Sequence, residues 1–196
     1  MRALYAAIAA AARWLAYGGL ACLGVAGLVT LADIVLRALT RAVNPFTADP
    51  IGLAVPGVVD LVQLFVMGAA FAAMPFAFLS DGQVTVNLLA DRLPPRGRAA
   101  MKSAAALLSA GFMGLVVWTA WGRAAQVLSY GDTSSTIEIP MIWYWTPLIG
   151  GCAASVAAAL AIAAVEELRA AGVEAPPPLD PATGRPELGA PEESVP

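Results

Sequence analysis

The side chains best able to do chemistry in this chain are two acids at the ends of long apolar runs, Asp33 and Asp60. Arg37 follows Asp33 by four residues, so the two share a helix face and can pair. Gln63 stands one turn after Asp60 and could hydrogen-bond to a neighbouring helix. An acid held deep in a bilayer is costly and binds a proton or a cation. An acid near a span boundary instead closes the span in an ion pair, or complements the positive end of a helix. Both readings stay open for Asp33 and Asp60. Arg41, Asp132, Glu138 and Trp143 are further candidates for contact with a partner or with the membrane interface.

Other chemistry is thinly represented. The chain has no histidine, which removes the commonest general base and the commonest metal ligand together. Its two cysteines, Cys22 and Cys152, stand alone in apolar runs and read as small packed hydrophobes. No carboxylates cluster. No catalytic, cofactor-binding or metal-binding residue is expected, and the chain does not read as an enzyme.

Of the 196 residues, 59% are hydrophobic and 13% charged, against about 25% charged in soluble domains. Mean hydropathy is +0.74. These values describe an all-α integral membrane protein, and the length allows a few crossings of about 20 residues each. The net charge of −3 comes from the end of the chain, where five acids face one base after Gly172. The remainder is nearly neutral, so nucleic acid is not an expected partner and the lipid bilayer is.

Four transmembrane helices are predicted, at about 14–36, 58–79, 103–121 and 141–165. Residues 1–13 read as an amphipathic lead-in on the cytoplasmic side, and 166–196 as an acidic, proline-rich cytoplasmic tail, disordered from Gly172. Thr40 to Pro56 carries turn signals at Asn44-Pro45, Asp49-Pro50 and Pro56-Gly57. Pro75 lies near the end of span two and cannot donate to the carbonyl of Phe71. Between spans two and three, Val86, Leu89 and Leu93 recur at helical spacing and predict a short interfacial helix, Val84 to Leu93, stopped by Pro94-Pro95. Gly151, Ser155, Ala159 and Ala163 form a stripe of small residues on span four, suited to close internal packing.

Charge sets the orientation. Arg92, Arg96, Arg98 and Lys102 crowd the connection between spans two and three, and such short basic loops stay on the cytoplasmic side. With Arg2, Arg13, Arg169 and Arg185 on the same side, both termini are cytoplasmic. Arg37, Arg41 and Arg123 then lie outside. All five tryptophans, Trp14, Trp118, Trp121, Trp143 and Trp145, fall near predicted span ends, as interfacial belts require.

Two segments carry a family resemblance. Asp81-Gly82-Gln83-Val84-Thr85-Val86-Asn87-Leu88-Leu89, continuing to Arg92-Leu93-Pro94, and Thr136-Ile137-Glu138-Ile139-Pro140-Met141-Ile142-Trp143-Tyr144-Trp145-Thr146-Pro147 resemble the small, DctQ-like membrane subunit of tripartite ATP-independent periplasmic (TRAP) transporters. The resemblance covers about residues 14–165. It implies a multi-pass protein of a bacterial inner membrane and two protein partners, a large TRAP membrane subunit and a periplasmic substrate-binding protein. The implied function is to scaffold the large subunit and help receive the binding protein during sodium-driven uptake of an organic anion, a carboxylate by expectation. The alternative is a self-sufficient, oligomeric small transporter coupled to protons or cations through Asp33 or Asp60.

Overall fold

The computed structural model describes residues 2–46, 52, 54–80 and 94–172. Four helices make up nearly all of it: α1 (Arg2–Val43), α2 (Val58–Leu79), α3 (Pro95–Tyr130) and α4 (Ile142–Ala170). All four are long and apolar enough to cross a membrane. The predicted interfacial helix and most of the predicted tail lie outside the described residues.

Only α2 coincides with its predicted span. The lead-in and first span form one 42-residue helix, about 63 Å long, which continues through Thr40 to Val43 before a 3₁₀ turn at Asn44–Phe46. The 36 residues of α3 reach about 54 Å. Both exceed the hydrocarbon thickness of about 30 Å. Hydropathy marks the stretch that lipid selects, whereas backbone bonding carries a helix on until a proline or glycine ends it. Pro94 and Pro95 open α3, and Gly131, at φ +70, closes it by donating its N–H to the carbonyl of Val127.

The helices stand in the order α1–α2–α4–α3. The last helix in sequence is central: it packs on both α2 and α3, while α1 packs on α2 and touches α4, and α3 contacts α4 alone among the described helices. Lipid tails are as apolar as leucine, so close backbone approach through small residues holds such helices together. On α3 the buried residues Ala99, Ser103, Ala106, Ala110, Ala120 and Ala124 follow the three-four spacing of a heptad seam. The predicted stripe on α4 is buried, with Ser155 and Ala159 wholly inaccessible. Ala163 at its lower end accepts a hydrogen bond from Ser103 of α3.

On the α1–α2 side, a side chain at Gly19 would stand 2.9 Å from the carbonyl oxygen of Ala69. At the end of the bundle where α1 begins and α4 ends, Ala9, Ala12, Leu79 and Ala158 form a core against which Tyr5, Ile8 and Phe76 pack. The opposite end carries the α1–α2 and α3–α4 connections and the buried acids Asp33 and Asp60.

Candidate functional site

Each buried acid at the loop end holds down one connection. Asp60 lies in the first turn of α2. Its Oδ2 accepts hydrogen bonds from the hydroxyl of Ser134 and, at 3.2 Å, from the backbone N–H of Thr136. The backbone carbonyl of Asp60 accepts a 3.0 Å bond from the Tyr144 hydroxyl of α4. One residue of α2 therefore secures the α3–α4 connection and the start of α4 together.

Asp33 does the same for the other connection. Its Oδ2 takes the Nε–H of Arg37 at 2.7 Å, and its Oδ1 takes the backbone N–H of Val55 at 3.0 Å. The two connections also meet. Gly57, which precedes α2 at φ +65, lies against Ile137, and a Cβ there would overlap the isoleucine side chain. Glycine is required twice over, by the left-handed backbone and by the lack of space.

The α3–α4 connection has its own framework. Ser134 N–H donates to the carbonyl of Ile139 at 2.8 Å and Met141 N–H to that of Asp132 at 2.9 Å, around an isolated bridge between Thr133 and Pro140. Glu138 at the tip adopts φ +53, a conformation that is uncommon outside glycine, asparagine and aspartate.

Beneath this connection a half-open groove of about 400 Å³ runs between α2 and α4. Its upper part is polar, formed by Asp60, Gln63, Thr133, Ser134 and Ser135. Met67 and Leu148 lie further along the two helices, with Tyr144 and Trp145 between. The groove therefore grades from polar at the loop end to apolar toward the middle of the bundle.

The structure brings six of the eight sequence candidates into these two clusters. Asp33 pairs with Arg37, Asp60 and Gln63 line the groove, and Asp132 and Glu138 lie exposed on the loop above it. Arg41 is exposed in the last turn of α1, and Trp143 is exposed in the first turn of α4. Sequence reasoning missed Val55, Gly57, Ser134, Thr136, Ile137 and Tyr144, which knit the end together. The Ser134-Ser135-Thr136 run was the available signal, three short donors in a connection facing a helix-start acid.

No group of three or more metal-ligating side chains occurs among the described residues. Residues 26–170 match the family model described as "Tripartite ATP-independent periplasmic transporters, DctQ component". No curated protein and no solved structure matches the chain.

Proposed function

The chain belongs to the DctQ-component family of TRAP transporters and is a small, non-catalytic membrane subunit of such a transporter, and from that premise we propose how it works. Its loop end faces the periplasm and receives a substrate-binding protein. Its helices give the large membrane subunit a fixed support during sodium-driven uptake of an organic anion, a carboxylate. The cytoplasmic placement of both termini belongs to the same reading, since the basic residues Arg96, Arg98 and Lys102 gather at the opposite end.

One observation carries the proposal. Asp33 and Asp60 spend their hydrogen-bonding capacity on the two connections, and Gly57 and Ile137 lock those connections to each other. A surface fixed in this way loses little conformational freedom when a partner docks. The same bonds speak against the self-sufficient carrier, because both acids sit at the loop end and hold protein backbone in place. Aligned apolar side chains remain open on the outer helices, including Leu28 and Leu31 of α1 and Leu108, Phe112 and Leu115 of α3. They offer area to a membrane partner as well as to lipid.

The test is gentle affinity purification of the full chain from its native membranes. Recovery of a much larger polytopic protein in about equal amount is expected. Recovery of this chain alone, or only with copies of itself, would remove the proposal.

A further inference from the structure

The groove between α2 and α4 has an internal gradient that a protein contact does not require. Asp60 to Met67 on α2, and Met141, just before α4, to Leu148 on it, each cover two helical turns, about 10 Å along the axis. Over that distance the lining passes from carboxylate, amide and hydroxyl groups to methionine and leucine. Tyr144 and Trp145 sit part-way down, side chains that favour the headgroup level of a bilayer. Gln63 and Met141 are exposed, so the groove opens on the side of the bundle.

The polar end carries a negative charge that no cation offsets among the described residues. Besides the Ser134 hydroxyl and the Thr136 N–H on Oδ2, the Thr136 hydroxyl and the Ile137 backbone N–H also serve the Asp60 carboxylate, and no basic side chain pairs with it among the described residues. Its charge is met by neutral donors only. Gln63 has no hydrogen-bond partner among the described residues. A guest suited to this end brings a positive charge for the Asp60 carboxylate and an acceptor for the Gln63 amide and the hydroxyls of Thr133 and Ser135. A guest suited to the lower end is hydrocarbon.

We propose that this groove is a binding site for a phospholipid with a primary ammonium headgroup, phosphatidylethanolamine, its ammonium on Asp60, its phosphate beside Gln63, Thr133 and Ser135, and an acyl chain along Met67 and Leu148. The ammonium makes charge-assisted hydrogen bonds that a choline headgroup, lacking N–H, cannot make. A glycerol headgroup has no cation for the carboxylate. A lysine from a partner protein would satisfy Asp60 but leave the apolar half of the groove unfilled. The proposal requires that the helices span a membrane and does not depend on the docking of a binding protein, so a failed co-purification leaves it standing.

The experiment is native mass spectrometry of the full-length chain in detergent, titrated with phosphatidylethanolamine, phosphatidylcholine and phosphatidylglycerol of identical acyl chains. The wild type is expected to retain a single phosphatidylethanolamine about tenfold better than either other lipid, the order of one charge-assisted hydrogen bond. Gln63→Trp fills the mouth of the groove while keeping the Asp60 bonds to Ser134 and Thr136, and it abolishes that preference. Asp60→Asn abolishes it too, and N-acetylated phosphatidylethanolamine binds the wild type no better than phosphatidylglycerol. Equal retention of the three lipids by the wild type overturns the proposal and leaves the groove to a protein side chain. A preference that survives Gln63→Trp also overturns it, because the lipid then sits elsewhere.

Discussion

Gly151 of α4 lies directly against the backbone carbonyl of Phe71 in α2, the carbonyl that Pro75 cannot serve as a helical donor. A Cβ built at Gly151 would overlap the carbonyl oxygen and stand 2.6 Å from its carbon. The hydrogen that occupies that direction instead points at the oxygen, a weak C–H donor facing an acceptor short of a partner. The missing hydrogen bond within α2 and the glycine in α4 form a single contact at the centre of the bundle.

Gly151→Ala should therefore cost about 1–3 kcal/mol, the range for overpacking a close contact. Gly150→Ala is the control, because nothing lies within 4 Å of a side chain there. Thermal unfolding of the purified chain in detergent should show a lowered midpoint for Gly151→Ala alone.

Two other glycines separate backbone strain from crowding. Gly57 and Gly131 both have left-handed backbones, at φ +65 and +70, but only Gly57 is crowded, by Ile137. Gly131→Ala should cost about 1–2 kcal/mol from conformation alone, and Gly57→Ala more. Adding Ile137→Ala to Gly57→Ala should recover part of the loss, measured in the same unfolding assay.

Glu138 gives the reverse case. Its φ of +53 suits glycine, so Glu138→Gly should leave stability unchanged or raise it. Glu138→Val, β-branched in a left-handed conformation, should lower it by about 1–2 kcal/mol.

The Asp60–Ser134 contact predicts non-additivity. Asp60→Asn and Ser134→Ala each release the α3–α4 connection, so the double variant should be scarcely worse than the poorer single one. Amide hydrogen exchange at Ser134 and Thr136 is the readout. Faster exchange in each single variant and no further gain in the double one is the expected pattern.

Charge reversal at the exposed loop separates the two proposed partners. Asp132→Lys should slow association with the periplasmic binding protein, most visibly at low salt, because exposed charges act mainly on the rate of encounter. The amount of large subunit recovered with the chain should stay the same. Loss of the large subunit instead would place Asp132 in the wrong interface.

Much of this fold was legible in composition. Runs of apolar residues located all four helices, and the bounds of α2 could be read directly because Gly57 and the polar turn after Leu79 delimit it closely. The ends of α1 and α3 were not legible, since a helix that leaves the hydrocarbon loses its hydropathy signal but keeps its backbone bonds. At the loop end, Asp33–Arg37 was readable as a local spacing. The Asp60–Ser134 contact was not, because 74 residues separate its partners and their meeting depends on the order in which the helices pack. That order, with α4 between α2 and α3, leaves no periodic trace in the chain.

The central place of α4 sets a schedule for biogenesis. When α3 leaves the ribosome, the one described helix it packs against has not yet been made, and its alanine seam must wait in lipid or beside the insertion machinery. α1 and α2 can pair early. The bundle closes only when the last helix arrives between two that do not touch, so a chain interrupted before Ile142 would leave a hairpin and a third helix with no packing between them among the described residues.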